Sequence, residues 1–120
     1  MNRFLNLRTT STLRLFTHSI TIRSEFDLGR EMKVLNDQKQ FKQALQLFDK
    51  YTKNNIAKCS SYIITQALKA CTHTRDLERG STIHNMISSR VKDDQYISAS
   101  LIHLYSKFHK RTFVFVIALL

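Results

Sequence analysis

The chain has little or nothing of several residue types that would indicate other classes of protein. It has 120 residues, no proline and only two glycines, while 42% of its residues are apolar and 23% are charged. This balance is typical of one small helical domain. No apolar run reaches the roughly 18 residues that a membrane-spanning helix needs. The apolar run at 112–120 has nine residues, so we predict no membrane span.

Cysteine is also scarce. Cys59 and Cys71 are twelve residues apart, and the sequence has no CxxC or CxxxC pair and no histidine at zinc-finger spacing. These absences argue against a disulfide framework and against a metal site, and we predict no metal and no cofactor. Cys71 falls on an apolar helix face, where a buried thiol packs as a small hydrophobic side chain.

Acidic residues are missing from the first 24 positions. This segment contains four Arg, five Thr and three Ser, and the first acidic residue of the chain is Glu25. Such an N-terminus is typical of an organellar transit peptide. We predict a transit peptide over residues 1–24, processed near Arg23 and Ser24, and the arginines favour mitochondria over plastids. The alternative is a basic tail that is never removed.

Apolar residues in the rest of the chain follow a helical period, and the pattern itself repeats. Residues 41–51 have their apolar positions on one face of a helix rather than alternating as in a strand. The same pattern returns further along the chain, at the apolar or small residues Leu77, Gly80, Ile83 and Ile87. The helices upstream repeat in the same way. Self-similarity at about 35 residues, with two helices per unit, predicts an all-α fold of helical hairpins in a short right-handed α-solenoid.

The repeat divides the chain into units. Helices are predicted near 27–37, 41–54, 62–72, 76–90 and 96–109. The units are predicted at 25–60 and 61–94, with the first helix of an incomplete third unit at 95–110 and an apolar tail at 111–120. The polar residues 36–39 and 72–75 are predicted to form the turns within the hairpins, and Asp76 is a plausible helix N-cap.

Gly80 is the one glycine in the middle of a predicted second helix. It takes the position that Ala44 has in the first unit. We expect it where the two helices of one hairpin cross most closely, because close packing can offset the cost of about 1 kcal/mol that glycine carries relative to alanine. The alternative is a weak point in an exposed helix.

Two segments resemble a known family. ALKACTHTRDLERGSTIH (67–84) and DQYISASLIHLYSK (94–107) are similar to the pentatricopeptide repeat proteins, in the class that alternates longer and shorter repeats. The resemblance covers about residues 26–110. It implies a module that binds single-stranded RNA, in which two or three side chains of each repeat contact one base. The third repeat lacks its second helix, so we expect a truncated array or a tail that packs over the open end.

The resemblance also implies which residues contact RNA. It places base contacts at the fifth and last residues of a repeat, which in the second unit are Thr65 and Asp94, a pair that in the family implies a preference for guanine. The alternative is that Thr65 is a surface residue and Asp94 an N-cap. Lys69 is a candidate for phosphate contact, although a solvated lysine is the commoner role. Gly29 and Ala99 take the fifth position in the other units and cannot recognise a base.

The predicted function is organellar single-stranded RNA binding in RNA processing, stability or editing, and not catalysis. Beyond the predicted transit peptide the chain keeps an excess of basic over acidic residues, and phosphate contacts supply most sequence-independent affinity. With one recognition unit, we expect weak binding. His84 and His103 lack a carboxylate or nucleophile at a spacing that would form a catalytic site. The alternatives are a scaffold that binds other organellar proteins, or a fragment with no function of its own.

Overall fold

The computed structural model describes residues 22, 24–53 and 55–108. This part of the chain is all-α and contains no strand. Its helices are α1 (Glu25–Asp37), α2 (Phe41–Thr52), α3 (Ser61–Thr74), α4 (Leu77–Met86) and α5 (Gln95–Ser106), with 3₁₀-helices at Ile56–Lys58 and Ser88–Asp93. The predicted transit peptide, apart from positions 22 and 24, and the predicted apolar tail lie outside the described residues.

The five predicted helices are confirmed, with differences at several of their ends, and α5 ends at Ser106 rather than near 109. α2 ends at Thr52 rather than near 54, and α4 ends at Met86 rather than near 90. Beyond α4 the chain winds into the tighter 3₁₀-helix, where the two serines at 88 and 89 disfavour an α-helix. Residues 72–74, predicted as a turn, belong to α3. Thr72 and Thr74 fit there because their hydroxyls donate hydrogen bonds of 2.9 Å to carbonyls of the preceding turn.

Polar side chains cap the N-termini of four helices. Ser24 accepts a hydrogen bond from the amide of Asp27 at the start of α1. Ser60 accepts one from the amide of Ile63 at the start of α3. Asp76 accepts the amide of Arg79 at 3.0 Å, so its prediction as an N-cap is confirmed. These oxygens satisfy amides that have no partner within the helix. The fourth cap, on α5, belongs to the site described below.

The same backbone turn closes both hairpins. Lys39 and Arg75 have positive φ angles of 62° and 58°. In the first turn the amide of Gln40 donates to the carbonyl of Leu35 at 2.8 Å. In the second the amide of Asp76 donates to the carbonyl of Cys71 at 3.0 Å. This pattern is the Schellman motif, in which glycine is the favoured left-handed residue. The interval between the two turn residues equals the interval between the starts of α1 and α3.

Replacing either turn residue by glycine is expected to stabilise the protein. A left-handed conformation costs a non-glycine residue about 1 kcal/mol, so Lys39→Gly should raise the free energy of unfolding by about 0.5–1 kcal/mol. Arg75→Gly should raise it by less, because it also removes the hydrogen bond from Arg75 to the carbonyl of Lys107. Urea unfolding followed by circular dichroism measures the change. Lys42→Gly is the matched control, since Lys42 is exposed within α2 and glycine there should destabilise. Equal losses in all three variants would contradict the prediction.

Helix α3 lies at the centre of the packing. It contacts α1, α2, α4 and α5, while α1 also packs on α2 and α4 also packs on α5. Helices α1, α3 and α5, which were predicted as the first helices of the three units, therefore contact each other in sequence order. α3 is buried around most of its circumference, through Ile63, Ile64, Ala67, Leu68, Ala70 and Cys71, all fully inaccessible. Burial raises the pKa of the Cys71 thiol to about 12, in agreement with a packing role.

Gly80 makes its closest approach to α5 and not to its hairpin partner. A β-carbon at this position would overlap Cδ2 of Leu104. The prediction that a small residue is needed at Gly80 fits this geometry, but the predicted partner, α3, was wrong. The physical reason is that α4 packs against two helices, and the glycine faces the one from the next unit.

Polar contacts also join the first predicted unit to the second. Asn36 on α1 is buried and donates through Nδ2 to the carbonyl and side-chain oxygens of Gln66 on α3, at 3.0 and 2.9 Å. Arg90, in the second 3₁₀-helix, donates through Nη1 to the carbonyls of Ala57 and Cys59, at 3.1 and 2.6 Å. The connection between the first two units is thus held by an arginine from the end of the second.

Candidate nucleic-acid interface

A groove of about 340 Å³ runs between α3 and α5. The residues lining it are Thr65, Gln66, Lys69, Thr72, His73, Ala99, Ser100 and His103. A second recess, of about 820 Å³, surrounds the start of α5 and includes Asp94. Ala99 borders both recesses. Thr65 and Lys69 are therefore in one groove, and Asp94 is in the recess next to it.

Thr65 is half-buried in the wall of the groove. Its hydroxyl donates a hydrogen bond of 2.8 Å to the carbonyl of Tyr62, so the same oxygen can accept a hydrogen bond from a ligand. Lys69 is exposed one turn further along α3. The two side chains together offer an acceptor and a positive charge.

Asp94 is the N-cap of α5. One carboxylate oxygen accepts the amides of Tyr96 and Ile97, at 3.0 and 3.2 Å, and the other accepts the hydroxyl of Ser61. The Ser61 hydrogen bond is the largest cause of a pKa below the usual range for Asp94, and the two backbone amides add to it. The capping role given above as the alternative is confirmed. The base contact stays a prediction.

Basic side chains occupy equivalent positions on the three first helices. Lys33 on α1, Lys69 on α3 and His103 on α5 recur at the intervals of the repeat, and Lys33, Lys69 and His103 are all exposed. Lys33 forms an ion pair with Asp37 at 2.7 Å. The hydrogen bond that Lys33 donates to Asp37 raises the pKa of Lys33 and lowers the pKa of Asp37. We call Lys33, Lys69 and His103 the basic row.

Aromatic side chains form a second row at the N-terminal ends of the same helices. Phe26, Tyr62 and Tyr96 are each the second residue of their helix and so recur at the same intervals as the basic row. Their exposed fractions are 67%, 40% and 68%. This aromatic row was not predicted from the sequence, because the repeat was traced only through apolar positions expected to be buried. Comparing exposed positions 36 and then 34 residues further along the chain would have found this row.

The ring of Tyr62 lies over Gly29 of α1. A β-carbon on Gly29 would be 2.6 Å from Cδ2 and 2.9 Å from Cε2 of this ring. Gly29 is the equivalent, in the first unit, of Thr65. An aromatic ring of one unit therefore contacts the fifth position of the unit before it, which is the position where the resemblance places a base contact.

His84, which was considered for a catalytic site, has a packing role. Nδ1 of His84 is 2.9 Å from the hydroxyl of Tyr105, and burial lowers its pKa. Within residues 22, 24–53 and 55–108, no three potential metal ligands come together, and none of the helices is long and apolar enough to cross a membrane. Comparisons with protein-family models, curated proteins and solved structures found no match for this chain.

Proposed function

We propose that this chain is a short right-handed α-solenoid of the pentatricopeptide repeat type, which binds single-stranded RNA along α1, α3 and α5. The positions of the helices support this proposal. The interval from the start of α1 to the start of α3 equals that from α2 to α4, and the interval from α3 to α5 is two positions shorter. Each first helix packs on the next, as in repeat arrays whose units bury their apolar faces against their neighbours.

The aromatic row is the observation that carries the RNA hypothesis. Exposed aromatic rings at regular intervals are a stacking platform for successive bases, and each stacked base contributes about 1–3 kcal/mol regardless of its identity. The basic row on the same three helices supplies charge for the phosphates. A base between Tyr62 and Tyr96 would be close to Thr65, the polar residue of the second unit.

The number of contacts limits the affinity and specificity of the proposed binding. The first unit has Gly29 and the third has Ala99 at the position of Thr65, and neither side chain has a polar atom. Only the second unit then distinguishes bases, with guanine as the proposed preference. We propose weak binding, and a role in the processing, stability or editing of organellar RNA. The arginine-rich, acid-free segment before Glu25 supports mitochondria as the compartment.

Removing the aromatic row should weaken RNA binding. We expect the triple variant Phe26→Ala, Tyr62→Ala, Tyr96→Ala to bind a fluorescent 12-nucleotide single-stranded RNA at least about a hundredfold more weakly, since about 1–3 kcal/mol of stacking energy is lost at each of three positions. Fluorescence anisotropy at low salt measures the affinity. The matched control is Met86→Ala on α4, an apolar residue with 45% of its surface exposed, which should bind as the unchanged protein does.

Salt and strandedness separate this function from the alternatives. RNA binding should weaken steeply with added salt because phosphate contacts release counterions, and a duplex of the same length should bind less well because its bases are already stacked. Absence of binding at low salt, or equal binding by the aromatic variant, would overturn the proposal. A scaffold for protein partners would then be the better account of the aromatic row.

A further inference from the structure

A basic cluster surrounds His73 at the C-terminal ends of α3 and α5. Four groups act on its imidazole: Lys69 from the same helix, Lys39 from the turn between α1 and α2, and His103 and Lys107 from α5. His73, Lys69 and His103 also line the groove described above. Partial burial is the largest cause of the lowered pKa of His73, and the four basic groups lower it further.

One face of the exposed His73 ring packs on α2. Its ring stacks on Phe41 at the start of α2, with centroids 4.4 Å apart and planes 3° from parallel. The end of α5 is held against the end of α3 by Arg75, whose guanidinium donates to the carbonyl of Lys107 at 3.3 Å. Phe41 carries no charge. The charged groups that act on His73 come from α3, from α5 and from the turn between α1 and α2. The acidic residue beside the cluster is Asp37, which interacts with Lys69 and is paired with Lys33.

We propose that His73 takes up a proton when the phosphate backbone of the RNA binds over this cluster, which makes RNA affinity depend on pH. The inference rests on the proposed RNA binding and specifies how that binding is regulated. In the free protein the surrounding positive charges disfavour a further charge on the imidazole. A phosphodiester in the groove reverses the local field and favours the protonated ring.

The direction of the pH dependence follows from linkage. The pKa of His73 lies below its ordinary value in the free protein and rises when an anion is bound, so binding is accompanied by proton uptake. Affinity should therefore be highest below the pKa of the free protein and should be lost as the pH rises through the pKa of the complex. Because one pKa unit corresponds to a tenfold difference in affinity, we expect RNA to bind about 3–10-fold more tightly at pH 6 than at pH 8.

The experiment measures the affinity for two labelled probes at both pH values. One is a 12-nucleotide uridine RNA, and the other is an abasic phosphodiester chain of the same length. His73→Gln should abolish most of the pH dependence for both probes. His84→Gln is the control, because His84 also titrates but lies outside the cluster, and it should keep the pH dependence. Nuclear magnetic resonance of the His73 ring should show its pKa rising when the RNA is added, which tests the proposal without any substitution.

The outcomes distinguish this inference from the proposed function. RNA binding that is independent of pH, or a pH dependence that survives His73→Gln, would overturn proton uptake at His73 and leave RNA binding in place. If the RNA does not bind at either pH, the proposed function fails, and the abasic chain then decides. Binding of that chain that strengthens at pH 6 and requires His73 would support the proton-linked anion site, and its absence would overturn that as well.

Discussion

Gly80→Val should lower the free energy of unfolding by about 3 kcal/mol, since overpacking a well-packed core costs about 1–3 kcal/mol and a β-branched valine gains little helix propensity over glycine. The reason is the side chain of Leu104, which is fully buried and occupies the site of the added β-carbon. A buried leucine has little freedom to move aside. Urea unfolding provides the measurement.

The double variant with Leu104→Ala should recover most of this loss. Leucine to alanine removes three carbons, and glycine to valine adds three at the contacting position, so the total volume of the pair is kept. Leu104→Ala alone should cost about 2–5 kcal/mol through the cavity that it leaves. The single losses would add to about 5–8 kcal/mol, so a double variant that keeps most of the stability gives a coupling energy above about 3 kcal/mol. Additive losses would show that Gly80 does not pack against Leu104.

The second glycine gives a matched comparison. At Gly29 the atoms in the way belong to Tyr62, whose ring is 40% exposed and can swing outward. We expect Gly29→Ala to leave stability unchanged or to raise it by up to about 1 kcal/mol through helix propensity, whereas Gly80→Ala should lower it. Opposite signs at two helical glycines would reflect the freedom of the neighbouring side chain.

Asp94→Ala should cost about 2 kcal/mol of stability, at the upper end of the range for losing an N-cap. The carboxylate accepts two backbone amides of α5 and the hydroxyl of Ser61, so its removal leaves three donors without their partner. Asp94→Asn keeps an N-cap oxygen and should cost less than about 1 kcal/mol. Thermal and urea unfolding at neutral pH would measure both variants.

The same carboxylate predicts a pH dependence of stability. The pKa of Asp94 is lowered in the folded state, first by the Ser61 hydrogen bond, so its ionised form contributes stability above the unfolded pKa of about 3.9. This contribution is lost as the pH falls through the folded value. The difference between the unchanged protein and Asp94→Ala should therefore narrow below pH 4. A constant difference down to pH 2 would contradict the capping role.

Asp94→Asn also tests the predicted base contact. Because this variant keeps the cap and so the fold, any change in its preference among short RNAs of different sequence must come from the exchange of a carboxylate for an amide. An unchanged preference, in a variant that binds RNA normally, would exclude a base contact by Asp94 and leave it as a structural residue.

The apolar spacing was sufficient to predict the helices, because burial of one face imposes a period that can be counted. Ala44, Leu45 and Phe48 are on the packed face of α2 as that period required. The N-cap at Asp76 was also predictable, since capping depends on residues close in sequence. The end of α4 was not, because the 3₁₀ winding after Met86 depends on local propensity and on contacts of Arg90 with a distant segment.

The candidate interface was predicted less completely. Thr65 and Lys69 are in the same groove because a helix brings residues four apart onto one face. The cluster around His73 combines Lys39, Lys69 and Lys107, which are far apart in sequence and meet only through packing. The partner of Gly80 was missed for the same reason, since a period shows which residues are buried and not which helix covers them.

The hydrogen bonds donated by Arg90 have a consequence for which residues of this chain can be substituted during evolution. Two of its acceptors are main-chain carbonyls, those of Ala57 and Cys59, and a carbonyl is present whatever side chain the residue carries. Mutations that change the side chains of residues 57–59 can therefore accumulate without breaking these hydrogen bonds. The guanidinium is under the opposite constraint, since only arginine has a planar fork of five donors. Substitutions are therefore tolerated at the residues that supply the carbonyls and excluded at Arg90.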